Sequence, residues 1–230
     1  MKLYHGTSVQ AAKKALENGL QPRADSQVDS HWETHPSSPD HVYLTVAYAP
    51  YFGLNAARDD DSFAVLEIDT ELIDEWSLVP DEDWLEQVSH HQELPEDWDI
   101  PEDDDVVGRT KWFRERLHLF QHLWESSLEG LGNCAYEGTI PPHAITRAVF
   151  VDSRKCIEMC GMAIDPTISL LNYRFCQAKY KTLTRWFIGE EVSVKDMSWY
   201  GLPIHPEHET QLKELLQNTE GLTVSDFRGV

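Results

Sequence analysis

The sequence predicts an α+β fold on three observations. Two short runs, His41–Thr45 (HVYLT) and Phe63–Ile68 (FAVLEI), are rich in β-branched and aromatic residues and read as strands. Near the start, Val9, Ala12 and Leu16 stand at helical spacing behind a Ser8 N-cap. Further on, Phe113, Leu117, Phe120 and Trp124 recur at spacings of three and four, the stripe of a core-facing helix.

The elements follow in order. Lys2–His5 reads as a first strand, and the helix after Ser8 runs through Glu17 to a stop at Asn18-Gly19. Residues Pro22–Asp40 are polar and read as a loop. After the HVYLT strand comes a short helix through Ala57, then FAVLEI, closed by Asp69–Leu72. Residues Asp81–Val88 suggest a helical turn, and Glu93–Asp105, with two prolines and no period, a loop. Thr110–Leu128 is the clearest helix; Arg109, Lys111, Arg114 and Arg116 gather at its start, where the helix dipole does not favour cations. Beyond Gly130 and Gly132, Cys134–Ile140 and Thr146–Val151 read as a hairpin around Pro141-Pro142. From Asp165 to Val230 the composition is mostly helical, ending in Glu207–Gln217. A shift near Asp152 divides the chain into a domain over 1–152 and a helical extension over 153–230 packed on it.

The net charge of −21 is not spread evenly. Half of the 40 acidic residues lie between Asp59 and Asp105, where there is no Lys or Arg; the other 20 face 19 basic residues. A halophile surface would spread its acids. The segment reads either as solvated loops or as an acidic flap that screens a groove or docks a basic partner. No apolar run approaches the roughly 18–20 residues of a membrane span, and no basic-then-apolar leader is visible. Four irregularly spaced cysteines (Cys134, Cys156, Cys160, Cys176) suit a reducing cytoplasm.

The order of short motifs resembles a known family. A first strand carries Leu3-Tyr4-His5-Gly6-Thr7-Ser8, a helix ends at Asn18-Gly19-Leu20 with Pro22 beyond, a second strand carries VYLT followed by Tyr51, and a late segment reads GTIPPHAI. This pattern is similar to the His–Tyr–Glu branch of the ADP-ribosyltransferases, particularly the bacterial and phage DarT-type enzymes that modify nucleic acid; RNA 2′-phosphotransferases share the same elements. The resemblance covers about Lys2 to Val151. It implies a split β-sandwich with flanking helices, and NAD as co-substrate.

The resemblance also implies roles. His5 would hydrogen-bond the ribose next to nicotinamide, and Gly6 would hold the nicotinamide amide by its backbone, where the lack of a Cβ permits close approach. Thr7 would assist at the adenylate side, Tyr43 would line the nicotinamide pocket, and Tyr51 would stack on the ring. Tyr48 is the alternative to Tyr51. A nearby carboxylate would stabilise positive charge on the sugar and activate the acceptor.

The carboxylate's place departs from the family pattern. Counting back from Ile140, it falls on Asn133, which binds hydroxyls but cannot act as a base. Glu137 lies four residues on, on the same strand face and about 13 Å away. Three options stand open: a bulge brings Glu137 inward; Asn133 serves a reaction with less need of a base, such as 2′-phosphotransfer; or the acid comes from Asp81-Glu82-Asp83. Glu137 and Asn133 are therefore the expected catalytic residues.

Other patterns are weaker. His31, His35 and His41 with Asp40 lack regular ligand spacing, so no metal site is expected. Trp98, Trp112, Trp186 and Trp199 are expected in core packing rather than base stacking. Lys13, Lys14, Arg23, the Arg109–Arg116 cluster, Arg174, Lys179, Lys181 and Arg185 are candidate phosphate contacts. The implied function is transfer of ADP-ribose from NAD to nucleic acid, with a protein acceptor still open. A toxin or phage-defence setting with a neutralising antitoxin protein is expected by analogy. The alternatives are a 2′-phosphotransferase or NAD glycohydrolase, and a non-catalytic binding module on the same fold.

Overall fold

Hydrogen-bond demand explains how the strand-forming runs assemble. The computed structural model describes residues 1–26, 37–57, 61–90, 98–102, 104–154, 156, 181–197 and 206–227. Seven strands pair antiparallel throughout: β1 (Lys2–Ser8), β2 (His41–Thr45), β3 (Ser62–Asp69), β4 (Leu78–Pro80), β5 (Asn133–Glu137), β6 (Ile145–Asp152) and β7 (Leu222–Asp226). Their order across the sheet is β4-β5-β2-β1-β3-β6-β7. The pairing is uneven. β1 and β3 match over their whole length, from Lys2↔Asp69 to Ser8↔Phe63, whereas β1 and β2 meet at the single pair Tyr4↔Thr45. All seven belong to one sheet, in which the β1–β2 contact is the narrowest. The α+β expectation holds.

Helices cover both faces. α1 (Val9–Asn18) is capped by the Ser8 hydroxyl, which accepts from the Ala11 amide, and ends at Gly19 with φ of 87°. It packs with α6 (Trp124–Gly130) over Leu3, Leu44, Leu66 and Ile140. On the other face α3 (Ala49–Ala57) and a helix over 181–187 enclose Tyr4, Phe63, Val149 and Phe187. Pro50 is tolerated because the first turn of a helix needs no amide there. A third cluster, with Phe113, Leu117, Phe120 and Trp84, lies beneath α4 (Glu82–Ser89) and α5 (Val106–Arg114).

Several sequence expectations are corrected. The late segment is not a hairpin: β5 pairs with β2 and β4, and β6 with β3 and β7, so three strands separate them. Pro141 and Pro142 offer no amide for a hairpin ladder, and Ile140 instead exchanges both backbone bonds with Leu20 as the chain crosses over. The helix expected over Thr110–Leu128 is broken into α5, a 3-10 turn over Leu117–Leu123 and α6. The Arg116 guanidinium bonds the Trp112 carbonyl and sits 4.5 Å over its ring, while the Arg116 amide slips to the Phe113 carbonyl. That exchange tightens the winding, and Leu117, Phe120 and Leu123, three apart, share the buried face that a 3-10 turn provides.

The C-terminal part is not only helical. The described portion has a helix over 181–187, the Pro206–Gln217 helix and β7, which extends the sheet beside β6. Thr184 donates to the Ala47 carbonyl at 2.5 Å, and buried Arg147 donates to the Ile188 carbonyl. The expected loop over Pro22–Asp40 contains the short helix α2 (Arg23–Ser26), and residues 27–36 lie outside the described residues.

Candidate functional site

A cleft of about 890 Å³ opens where the β1–β2 pairing stops. His5, Gly6, Thr7 and Ser8 form one edge, and His41, Tyr43 and Thr45 the other. Gln10, Ala11 and Lys14 of α1, Phe52 and Asn55 of α3, Asp81–Asp83 at the start of α4, Thr110, Lys111 and Arg114 of α5, and Asn133 of β5 complete much of the wall.

A chain of hydrogen bonds bridges the two strands. His5 Nδ1 lies 2.8 Å from the Tyr43 carbonyl oxygen. A carbonyl only accepts, so Nδ1 carries the proton and Nε2 is an acceptor. Burial holds the His5 pKa below its ordinary value, against the pull of that bond, so the ring is neutral at pH about 7. The Tyr43 hydroxyl accepts from the Ser38 amide at 2.8 Å and donates to Glu82, whose two oxygens stand at 2.6 and 2.7 Å. Burial, then the charges of Glu82 and Asp81, push the phenol well above its usual pKa, so it remains a donor.

The carboxylates at the start of α4 are unusual for their position. Asp81 caps the helix, accepting from the Asp83 amide at 2.9 Å. Its carboxyl is pushed well above the usual range by burial and by the charges of Glu82 and Asp83. Glu82 is raised mainly by burial, which outweighs the Tyr43 bond. Asn133 is placed through Ser127, which donates to the Asn133 carbonyl at 2.8 Å and accepts from the Asp81 amide at 3.0 Å. The Asn133 Oδ1 is buried and has no hydrogen-bond partner among the described residues.

The structure brings His5, Gly6, Thr7, Tyr43 and Asn133 to one cleft. It does not bring Glu137 or Tyr51 there. β5 runs without a bulge from Thr45↔Asn133 to His41↔Glu137, so Glu137 stays at the far end of the strand, exposed. Tyr51 is 39% exposed and packs edge-on against Phe52, which itself lines the cleft; Tyr48 is buried behind it. Gly6 is constrained from an unexpected side. A Cβ there would meet the Ala49 carbonyl oxygen at 1.8 Å, so the close neighbour that demands glycine is α3.

Glu82, at the cleft, belongs to the Asp81-Glu82-Asp83 run, one of the three sources of the acid that the sequence leaves open. A proline followed by Asp-Glu-Asp marks a helix start, but nothing in the pattern shows that the first turn is buried against Tyr43. The basic cluster is also divided. Lys111 and Arg114 line the cleft, together with Lys14 and Arg23, whereas Arg116 stacks on Trp112. Arg109 is buried, donating to the Ser89 hydroxyl at 2.5 Å and the Pro101 carbonyl at 3.0 Å, with Glu86 at 4.0 Å. Trp186 is buried in the core, Trp98 and Trp112 are half-buried against it, and Trp199 lies outside the described residues. His41 bonds the Ser38 hydroxyl at 2.7 Å, while His31 and His35 lie outside the described residues. Arg174 and Lys179, among the candidate phosphate contacts, lie outside them too.

Compared with protein-family models and with curated proteins, the chain matches none.

Proposed function

We propose that the cleft binds NAD and that the chain is an ADP-ribosyltransferase acting on nucleic acid. The observation that carries this reading is the half-buried, neutral His5 tethered to Tyr43 where the β1–β2 pairing stops. Its Nε2 is an acceptor suited to a ribose hydroxyl, in a cleft whose volume lies in the range of small-molecule and cofactor sites. Other features fit the same ligand. Lys14 and Arg23 offer positive charge for a pyrophosphate, Phe52 offers an aromatic face, and the Asn133 oxygen offers an acceptor for a hydroxyl. NAD supplies a ribose whose bond to nicotinamide breaks with positive charge left on the sugar.

The acceptor reading rests on charge at the cleft. Lys14, Arg23, Lys111 and Arg114 line it, against the acids Asp25, Asp81, Glu82 and Asp83, so the charge at the cleft is near balance. That balance favours phosphate far more than a total of −21 suggests. Such a modifier needs restraint in its own cell, which extends the reading to a cytoplasmic toxin or phage-defence effector with a neutralising antitoxin. Asn133 at the family's carboxylate position favours a second reading, NAD-dependent 2′-phosphotransfer. Incubation with labelled NAD plus RNA, DNA or lysate tests both. Label retained on nucleic acid supports ADP-ribosyl transfer; loss of a 2′-phosphate from RNA supports the second. No nicotinamide release and no adduct would leave a non-catalytic binding module.

A further inference from the structure

We infer that Glu82 is the catalytic carboxylate of this cleft and that Tyr43 is the residue that positions it, an inference that rests on the NAD reading. Among the described residues, four acidic side chains line the cavity: Asp25, Asp81, Glu82 and Asp83. Asp81 is spent on capping α4, and Asp25 and Asp83 are exposed at the rim. Glu82 stands in the first turn of α4, where a glutamate ordinarily reaches into water and still benefits from the helix dipole. Here it is 4% exposed, with both oxygens on the Tyr43 hydroxyl. A phenol is neutral, so the bond orients the carboxylate without cancelling its charge. Burying a carboxylate in this way costs stability, and such costs cluster where a site needs the group.

The placement also suits the chemistry. Tyr43 gives its carbonyl to His5 and its hydroxyl to Glu82, so one residue fixes both the ribose acceptor and the carboxylate. As a nitrogen or oxygen of the acceptor bonds to the ribose carbon, the bond from that carbon to nicotinamide breaks and its electron pair leaves with nicotinamide. The acceptor's proton passes to Glu82 and then to solvent, and until then the carboxylate faces the positive charge on the sugar. Glu137 takes no part, and Asn133 binds rather than accepts a proton.

The groups that face Glu82 fix the direction of each pH effect. Tyr43 of β2 and Arg114 of α5 lower its pKa; Asp83, beside it on α4, raises it, and it in turn raises Asp81. In the NAD-free protein, an NMR titration of the Glu82 carboxyl should therefore move upward in Tyr43→Phe and downward in Asp83→Asn. The acidic limb of nicotinamide release should move in the same two directions. Glu82→Gln keeps the hydrogen-bond acceptor and removes the charge. It should retain heat stabilisation by NAD, lower nicotinamide release about 100-fold or more, and unfold without NAD at or above the wild-type temperature. Wild-type release in Glu82→Gln, or a lowered unfolding temperature, would overturn the assignment while leaving the NAD reading in place. Absence of any NAD stabilisation in the wild type would overturn both.

Discussion

Single atoms decide much of this site. A Cβ on Gly6 would meet the Ala49 carbonyl oxygen at 1.8 Å and the Gly53 nitrogen at 2.4 Å, both backbone atoms of α3. Neither yields without moving the helix, so Gly6→Ala should cost about 3 kcal/mol of stability, read as a fall in the urea midpoint. Protonation acts at the same scale. Burial lowers the pKa values of His5 and His41, so the unfolded chain takes up those protons first. The stability these groups contribute is present above about 6.5 and falls as pH drops below it. Asp81 and Glu82 act in the opposite sense: their raised values mean the folded state binds protons first, and stability falls as pH rises through them. A His5→Asn variant should therefore lose less stability than wild type between pH about 7 and about 5, measured by thermal melts. The short motifs LYHGTS and VYLT lead to His5 and Tyr43 at the cleft, and the count back from Ile140 leads to Asn133. No such motif leads to Glu82, because burial of a helix's first turn depends on a strand 39 positions away.

Elements bounded by local signals were read well, and those bounded by distant contacts were not. The Ser8 cap, the Gly19 stop and the limits of β2 follow from side-chain type. β4 and β7 were missed: each is short or exposed, and each is a strand only because a neighbour pairs with it, β5 and β6 respectively. The broken helix after Arg114 shows the same limit, since Arg116 diverts a backbone carbonyl that periodicity assigns to the helix. The Arg109–Arg116 cluster tests this division. Arg109→Met removes a buried cation from Glu86 and Ser89 and should cost about 3–5 kcal/mol in chemical denaturation. Lys111→Ala, on an exposed side chain of the same helix, should change stability by no more than about 0.5 kcal/mol.

At the scale of the molecule, the described part of the acidic segment Asp59–Asp105 is largely regular structure. It supplies β3, β4 and α4, and the start of α4, Asp81–Asp83, lines the cleft. That is why total charge is a poor guide to the acceptor: at physiological salt the screening length is about 8 Å, and only charges near the cleft count. Substituting Lys111 and Arg114 by Ala should weaken nucleic-acid modification, reduce its dependence on salt, and leave NAD stabilisation intact. Neutralising Asp104 should have little effect. Asp105 is a less clean probe, because its side chain caps α5 through the Gly108 amide at 2.8 Å. Silent Lys111 and Arg114 substitutions, with modification lost on neutralising the acids, would point to a basic protein acceptor instead.

The cleft lies where the β1–β2 pairing is limited to one pair and the His5 bond to Tyr43 bridges the strands, and NAD is the ligand proposed for it. The most direct measurement is the thermal unfolding temperature with and without NAD, in wild type and in His5→Ala. A ligand bound only to the folded state raises that temperature with concentration. A concentration-dependent rise is expected in wild type, and its disappearance in His5→Ala while the unliganded variant remains folded. An equal rise in both proteins, or none in wild type, would contradict NAD binding in this cleft.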